Sequence, residues 1–505
     1  MRAIKGLFMY IGIVLGVFAA IVAVTLCIMY FVPTVRVFGI ACVHYNKNIS
    51  QDTINFSDYE DITRVELNIN TVNVHVSIVP DKDVDGLDSE LDLSVFGFSS
   101  QITEYGVISS TKVEDGVLKI VVNVTEPIGW FPSAKSTLNI KVPDNQQYDI
   151  IVSTNKANVD LGSTKSSMNL NNLTVTTGNG NLNIHNLGDG SESNTLSLNS
   201  LNLSTTKGEF DFTDIDVLNV NSLIKLNADV EGVYRFKVLN AGLDARGESI
   251  ALHADAINTT QTNGFTFMSV NGYFNIKSIN TPTGAENSII TENCQISIEN
   301  LTGRTGIRTT YGNINITNLN SYAMLESTKG NVYVSKANDT IRITTDLGNI
   351  TVDEYYRSAK FVTNKGTIKA YSKSEYSQGC TTDVISDDGN IDIRLKANPI
   401  NLTTTGRAVV QIVFESVPSD IPNASTEVVS IISIGEKGSA DIFFPIIYKP
   451  FKFKASGIIS GYISNVAVTT SEQEQRYPTT ATDEEISTSA SYEFYGTITF
   501  KRLSN

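Results

Sequence analysis

The chain of 505 residues contains few of the residues that several common protein classes require. Its 12 prolines and a charged fraction of 18% are too few for a long disordered tail. Its 4 cysteines are too few for a disulfide scaffold. With a net charge of −15 the chain lacks the basic surface that phosphate contacts need, so we predict no nucleic-acid partner.

Sequence signals for a cofactor or a catalytic site are also lacking. The chain has no phosphate-binding loop of the form GxxxxGK followed by Ser or Thr. Its histidines lie far apart, and no pair has the spacing of metal ligands on one helix or strand. These histidines are His44, His75, His185 and His253. We therefore predict no catalytic residue, no cofactor-binding residue and no metal site.

What the sequence does contain is a repeat of 18 residues in its middle part. The repeat is marked by Cys294, Gly312, Gly330, Gly348 and Gly366. Apolar residues follow each of these anchors at two and four positions, and follow Gly312, Gly330 and Gly348 at eleven and thirteen positions as well. A Ser or Thr precedes each anchor by three positions. Apolar residues at alternate positions are typical of half-buried strands. Two short strands in each fixed repeat predict an all-β, single-stranded β-solenoid (β-helix) with short coils of about 18 residues.

Less regular anchors extend the pattern in both directions. They are Val72, Ala157, Gly180, Gly208, Gly232, Gly272, Gly389 and Gly406. An insertion is predicted around residues 188–193, between two of these anchors. Asn follows the glycine in several repeats, and stacked amides of this kind can hydrogen-bond from coil to coil.

The N-terminal segment differs in kind from the rest of the chain. Residues 6–32 carry no charged side chain. This uncharged segment is long enough for a transmembrane helix in contact with the lipid bilayer. Arg2 and Lys5 precede the segment and favour a cytoplasmic N-terminus. We predict an uncleaved single-pass anchor, with a cytoplasmic stub at 1–5, a linker at 33–60, the solenoid at 61–450 and C-terminal strands or a cap at 451–505.

Several finer predictions concern the ends of the solenoid and the cysteines. Residues 118–124 and 138–142 resemble a hairpin pair, residues 471–491 a polar loop and residues 492–500 a last strand. Irregular ends of this kind are expected to cover the bare edges of the solenoid. Cys294 and Cys380 lie about four coils apart, roughly 19 Å at the spacing of β-strands, so they should not form a disulfide.

The sequence resembles a family of bacterial adhesin-like β-solenoids known as the toast-rack domain. The resemblance rests on Val65–Thr71 followed by Asn73–Val76, on Leu138–Pro143 followed by Val152–Val159, and on the repeated Thr-x-x-Gly-Asn-Ile-x-Ile units. It covers roughly residues 60–410. It implies an envelope-exposed, often membrane-anchored, non-enzymatic protein with an adhesive or scaffolding role, and it supplies no catalytic residues.

Two surface features keep other interpretations open. Asp383, Asp387, Asp388 and Asp392 form the densest group of carboxylates, and parallel β-helices that process glycans use such groups. The same aspartates would also suit a weak calcium site, and ordinary turn chemistry explains them equally well. The single tryptophan, Trp130, is expected either to cap the solenoid or to contact a ligand.

Taken together, these patterns predict a non-catalytic adhesin, stalk or envelope scaffold on the outside of a cell membrane. Its expected ligand is a protein or a glycan on another surface. One alternative is a β-helix that binds or processes glycans at Asp387 and Asp388. Another is a sensor or regulatory subunit of the envelope.

Overall fold

The structure is a computed structural model that describes most of the chain. The described residues are 2–31, 36–37, 40–98, 107–124, 136–162, 168–185, 194–260, 264–374, 380–396, 398–416, 428–445, 451–463, 466–467, 471–477 and 490–503. Apart from one N-terminal α-helix and a short 3₁₀ turn at Phe56–Asp58, the elements in these residues are strands, which confirms the all-β prediction. The chain divides into two compact units, Met1–Asn221 and Ser222–Asn505.

The N-terminal helix, α1, spans Arg2–Phe31. A helix was predicted over residues 6–32, and the structure confirms it within the residues that it describes. Among those residues, none of the helices combines the length and the apolar character that crossing a bilayer requires.

The N-terminal unit contains sixteen strands within its described residues. They are β1 (Arg36–Val37), β2 (Ile40–Ser50), β3 (Ile54–Asn55), β4 (Arg64–Asn70), β5 (His75–Pro80), β6 (Gly86–Phe98), β7 (Val107–Glu114), β8 (Val117–Val124), β9 (Thr137–Val142), β10 (Gln147–Thr154), β11 (Val159–Leu161), β12 (Asn169–Asn179), β13 (Leu182–Ile184), β14 (Thr195–Leu198), β15 (Ser200–Asp211) and β16 (Val217–Val220).

The coils of this unit stack through parallel pairing, but not in chain order. β10 pairs with β4 on one side and β12 on the other, and β11 pairs in the same way with β5 and β13. β4 and β5 also pair with β8 and β9, so the coil β4–β5 lies between β8–β9 and β10–β11. The predicted hairpin of residues 118–124 and 138–142 is therefore wrong, since these segments are the two strands of one coil.

The coil β8–β9 is covered by antiparallel strands. β7 pairs with β8, β6 pairs with β9, and β2 pairs with the outer edge of β6. These pairings confirm that irregular strands cover the edges at this end, where unpaired backbone groups would otherwise template association.

The C-terminal unit contains twenty-five strands within its described residues. They are β17 (Ile224–Asn240), β18 (Leu243–Asn258), β19 (Phe265–Asn280), β20 (Glu286–Thr291), β21 (Gln295–Thr302), β22 (Arg304–Thr309), β23 (Ile314–Leu319), β24 (Ala323–Ser327), β25 (Val332–Ala337), β26 (Ile341–Thr345), β27 (Ile350–Tyr355), β28 (Ala359–Thr363), β29 (Ile368–Ser372), β30 (Thr382–Ser386), β31 (Ile391–Leu395), β32 (Ile400–Thr404), β33 (Val409–Phe414), β34 (Val428–Ser433), β35 (Ser439–Phe444), β36 (Phe451–Ser456), β37 (Ile459–Ile463), β38 (Val466–Ala467), β39 (Ser471–Tyr477), β40 (Ala490–Tyr495) and β41 (Ile498–Arg502).

The predicted repeat sets the register of this unit. Ile314 lies opposite Val332, which lies opposite Ile350, which lies opposite Ile368. These side chains are at most 1% exposed and form the core between two stacks of parallel strands. We call the strands that follow the corner stack A (β21, β23, β25, β27, β29, β31 and β33) and the strands that precede it stack B (β20, β22, β24, β26, β28, β30 and β32).

The corner between the two stacks explains the repeated glycines. A Cβ atom on Gly330 would lie 1.8 Å from the carbonyl oxygen of Gly312, so close backbone approach excludes any side chain there. The Ser327 hydroxyl, three residues earlier, accepts a hydrogen bond of 2.9 Å from the Gly330 N–H. Asn313 accepts a bond of 2.8 Å from the backbone N–H of Asn331, one coil further on. The asparagines that follow the corner glycines thus bond to backbone groups, whereas Asn293, which precedes the corner position, donates to Asn271 at 3.0 Å.

An amide ladder of the predicted kind occurs at a different place, the end of stack A and its preceding strands. The Asn258 Nδ2 donates to Asn240 Oδ1 at 2.7 Å, and the Asn280 Nδ2 donates to Asn258 Oδ1 at 2.8 Å. Asn338 and Asn320 repeat the contact at 2.7 Å. Each bond joins consecutive coils, so the ladder adds to the backbone pairing.

Two of the predicted anchors are wrong by two residues. Val76 lies opposite Val159, which makes Val74 rather than Val72 the equivalent of Ala157. Ile391 lies opposite Val410, which makes Ala408 rather than Gly406 the equivalent of Gly389. A shift of two residues leaves the alternation of buried and exposed side chains unchanged, so the pattern alone did not reveal it.

The C-terminal end also departs from the predictions. Residues 471–477 form β39 rather than a loop, and the predicted last strand at 492–500 is two strands, β40 and β41, that flank Gly496. The insertion near residues 188–193, Trp130 and residues 478–489 lie outside the described residues. The domain boundaries at 60/61 and 450/451 stay predictions.

The described cysteines match the prediction that no disulfide joins them. Cys294 and Cys380 are both buried, and neither forms a disulfide. Cys294 occupies a glycine position of the corner, and its Sγ lies 3.8 Å from the carbonyl oxygen of Ser269.

Candidate ligand-binding groove

Stack A carries a groove of about 270 Å³ over β27, β29 and β31. It is lined by Val352, Asp353, Lys369, Ala370, Tyr371, Asp392 and Arg394. Buried Val352 and Ala370 form its floor, and outward side chains of three consecutive coils form its walls. The alternation of the strands therefore presents acidic, basic and aromatic groups side by side.

A β-bulge shapes this groove. Val352 lies opposite Ala370, but Tyr355 lies opposite Ser372, so Asp353 and Glu354 together face the single residue Tyr371. A bulge of this kind breaks the ladder and redirects the side chains of the bulged strand. It occurs where one of the longer coils begins, after the last of the regular 18-residue steps.

Tyr333 extends the groove toward the preceding coil. Its hydroxyl donates a hydrogen bond of 2.5 Å to Asp353 Oδ2, and its side chain is 38% exposed. This hydrogen bond to a carboxylate raises the pKa of Tyr333. The bond also fixes the Asp353 carboxylate at the rim of the groove.

Tyr371 lies at the centre of the groove and is held by its neighbours. Its hydroxyl donates to Glu415 Oε2 at 2.7 Å. The Lys373 Nζ lies 4.0 Å from the centre of the Tyr371 ring, and the Arg394 guanidinium carbon lies 5.6 Å from it. The hydrogen bond with Tyr371 raises the pKa of Lys373. Cations this close to an aromatic ring are attracted by its quadrupole.

The same pattern continues along the far edge of stack A. The Tyr356 hydroxyl donates to Glu354 Oε2 at 3.0 Å, which raises the pKa of Tyr356. The Lys336 Nζ lies 5.2 Å from the Tyr356 ring, and Lys373 lies 3.9 Å from Glu354. A network of tyrosines, carboxylates and cations thus connects the coils from β25 to β33. Such a surface offers hydrogen-bond donors, hydrogen-bond acceptors and the faces of aromatic rings to an extended ligand.

The aspartates singled out in the sequence do not form one site. Asp392 lines the groove, whereas Asp383 lies in stack B and accepts a bond of 3.1 Å from Asn401 Nδ2. At the corner, Asp387 accepts from the Thr405 hydroxyl, and Asp388 accepts from the Arg407 backbone N–H at 2.9 Å. The carboxylates of Asp383, Asp387 and Asp388 therefore hold the following coil in place.

Residues at equal offsets in the repeat face each other across consecutive coils. Arg342 and Lys360, twelve residues after Gly330 and Gly348, lie opposite each other in stack B. Sequence reasoning missed Tyr333, Tyr356 and Tyr371, which are spread over three coils. The available signal was that each of these tyrosines stands at a position of the repeat that the buried apolar residues do not occupy, so its side chain is expected at the surface.

The structure brings together two histidines of the N-terminal unit that are far apart in sequence. The His75 Nε2 lies 2.7 Å from Asp160 Oδ2, and the His185 Nε2 lies 4.0 Å from Asp160 Oδ1. Burial favours a higher pKa for Asp160, but hydrogen bonds from His75 and Asn183 outweigh it and lower that pKa. Within the described part of the chain, no group of three or more His, Cys, Asp or Glu is arranged to hold a metal ion.

Comparison with known proteins identifies the family. The Toastrack DUF4097 family model matches residues 65–394, which is more than half of the chain. The protein therefore belongs to this family, and the resemblance drawn from the sequence is confirmed. No curated protein matches the chain.

Two solved structures are similar to parts of the chain. A candidate cell adhesion protein from Clostridium sporogenes ATCC 15579 is 10% identical over 47% of this chain and 100% of its own, with a TM-score of 0.26. A candidate adhesin from Bacteroides fragilis NCTC 9343 is 12% identical over 64% of this chain and 97% of its own, with a TM-score of 0.19. Similarities at this level carry no argument about function.

Proposed function

We propose that this protein is a non-catalytic adhesin, stalk or envelope scaffold, anchored in a cell membrane by its N-terminal helix. The solenoid lies on the outer side of that membrane and contacts its partner through the surface of stack A. Membership of the Toastrack family supports the solenoid part of this proposal.

The anchor is supported by the N-terminal sequence. Residues 6–32 carry no charge, and α1 covers nearly all of them. The side chains of Ile13, Leu15 and Phe18 are more than half exposed, as lipid-facing residues are in an isolated chain. Arg2 and Lys5 favour the cytoplasmic side for the N-terminus.

The observation that carries the adhesive role is the network of tyrosines and charges on stack A. Its members, from Tyr333 to Glu415, lie on consecutive coils and are fixed by hydrogen bonds and by cation–ring contacts. A surface whose side chains are already ordered loses little conformational entropy on binding. Tyrosine and arginine are also the residues that most often dominate binding interfaces.

Two experiments test this proposal. Protease treatment of intact cells should remove the solenoid, whereas cleavage only after lysis would contradict the outer location. Attachment of cells that display the full chain should fall at least tenfold with Tyr333→Ala. Tyr273→Ala is the matched control, because Tyr273 is an exposed tyrosine of β19, outside the network. Equal attachment by the two variants would contradict a role for this surface.

Glycan binding is the second candidate function, and the groove itself favours it. Asp353, Lys369 and Asp392 line a groove open to an extended polar chain, beside the ring of Tyr371. This moves the proposed glycan site from Asp387 and Asp388, whose carboxylates bond to the next coil, to stack A.

A panel of immobilised glycans tests this second candidate. Asp392→Asn should weaken binding of any glycan that the wild-type protein retains by about tenfold, the value of one or two lost hydrogen bonds. Asn315→Ala is the control, since Asn315 is an outward residue of β23 and does not line the groove. Failure of the wild-type protein to bind the panel, or equal binding by both variants, would reject this candidate.

A further inference from the structure

The last coil of the chain lies between two coils that precede it in sequence. β40 pairs in parallel with β34 along one edge, from Val428 opposite Ala490 to Ser433 opposite Tyr495. Its other edge pairs in parallel with β36. β41 lies in the same way between β35 and β37. The segment 490–502 therefore fills a slot whose walls are β34 and β35 on one side and β36 and β37 on the other.

The inner wall of this slot is built without the segment that fills it, whereas the outer wall is joined to the inner wall through that segment. The inner wall, β34–β35, stacks on β32 and β33. The outer wall, β36–β37, has its far edge paired with the antiparallel strands β39 and β38. We call the four strands β34, β35, β36 and β37 the acceptor slot and residues 490–502 the donor segment.

Aromatic packing holds the donor segment in the slot. Tyr492 and Phe494 are at most 1% exposed. The ring centre of Phe444, in the inner wall, lies 5.6 Å from that of Tyr492 and 6.5 Å from that of Phe494. The slot thus selects a segment with large apolar side chains at alternate positions.

Backbone contacts make the slot more selective still. The Gly496 N–H donates to the carbonyl of Ser456 at 2.9 Å, and the Ile434 N–H donates to the carbonyl of Tyr495 at 2.9 Å. Gly496 has φ of 105°, and a Cβ atom there would lie 2.3 Å from the Ile434 carbonyl oxygen. An occupant must therefore carry glycine at the corner between its two strands.

We infer that the acceptor slot is an exchange site, where the donor segment of a second copy of this chain replaces the chain's own. An exchanged segment makes the same ladders and the same aromatic contacts, so the two arrangements differ little in contact energy. Residues 478–489 connect β39 to the donor segment, and a fully extended stretch of this length reaches roughly 40 Å. Copies joined in this way share an intermolecular coil.

Cysteine crosslinking between differently labelled chains tests the exchange. One full-length chain carries Ile431→Cys and the other Glu493→Cys, and both chains carry Cys27→Ser and Cys42→Ser. Ile431 lies opposite Glu493, and the side chain of Ile431 is 38% exposed. After co-expression, a short bismaleimide should yield a covalent dimer of the two chains. Addition of excess synthetic peptide 490–505 during refolding of the mixture should lower the dimer yield.

Three arms decide the outcome. Pairing Ile431→Cys with Thr499→Cys is the control, because Thr499 lies opposite Asp441 and should give no dimer. A single chain carrying both Ile431→Cys and Glu493→Cys reports whether its own segment fills the slot. An intrachain crosslink without any interchain product would overturn the exchange. If neither product forms, the register on which the inference depends is wrong, and the inference fails with it.

Discussion

Replacing Gly330 by alanine is the sharpest test of how the coils stack. The carbonyl oxygen of Gly312 lies 1.8 Å from the position that a Cβ atom on Gly330 would occupy. Real Cβ contacts are essentially never shorter than 3.0 Å, so the two coils must separate by more than 1 Å at this corner. The backbone on both sides belongs to parallel ladders, which resist such a movement.

The cost follows from what this separation breaks. Overpacking of a tight site costs about 1–3 kcal/mol. The bonds from the Gly330 N–H to Ser327 and from the Asn331 N–H to Asn313 weaken or break, each worth about 1 kcal/mol net. We therefore expect Gly330→Ala to lower the free energy of unfolding of this region by about 3–5 kcal/mol.

Urea denaturation, combined with hydrogen exchange of the amides in β23 and β25, measures this change. Gly306→Ala is the matched control, because Gly306 is an exposed strand glycine of the same repeat with no atom within 4 Å of an added Cβ. That control should be neutral or stabilising by up to about 1 kcal/mol. If the two variants unfold alike, close approach of the coils is not the reason for the repeated glycine.

Three further predictions concern single groups. Tyr148→Phe should destabilise the N-terminal unit by about 1–2 kcal/mol in urea, because the buried Tyr148 hydroxyl donates to the Pro143 carbonyl at 2.7 Å. Hydrogen bonds from Lys112 and Lys119 lower the pKa of Glu114 from 4.5 to about 2, so its contribution to stability is complete above pH 4.5 and is lost as the pH falls through about 2. An NMR titration midpoint near 4.5 would contradict this, and Lys119→Met should move the midpoint upward. Burial raises the pKa of Cys294 to about 11, so at pH 8 a variant with Cys294 as its only cysteine should react with a thiol reagent about a hundredfold more slowly when folded than in urea.

The sequence alone was sufficient to predict the repeat, because each repeat is defined by residues that are close together in the chain. Strands of five or six residues with one buried face recur at a fixed spacing. This spacing predicts that Ile314, Val332 and Ile350 lie above one another in the core, as they do in the structure. The anchors at Val72 and Gly406 were wrong because alternation specifies a face but not a register. Only backbone pairing distinguishes Val74 and Ala408 from residues two positions away.

The groove could not be predicted, for a different reason. It depends on the bulge at Asp353 and Glu354, where two residues face one across the ladder. The trace that it leaves in the sequence is the loss of the apolar residue seven positions after the anchor, which is Tyr355 after Gly348 but Lys373 after Gly366. That trace marks the coil but does not indicate which side chains the bulge brings together. The aspartates at 383–392 attracted attention by their density, yet three of them bond to neighbouring coils, as side chains in corners commonly do.

The order of coils at the two ends protects the edges of the parallel ladders. A coil at the end of a stack has a parallel ladder on one side only, so its other edge opens more easily. In the N-terminal unit β4–β5 has a parallel ladder on both edges, and in the C-terminal unit β40–β41 has the same. Opening either coil requires the loss of two ladders at once. The coils left at the edge, β8–β9 and β36–β37, are continuous with chain on both sides and are covered by antiparallel strands. An end built in this way resists both fraying and edge-to-edge association, and in the C-terminal unit it also creates a slot that another copy of the donor segment fits.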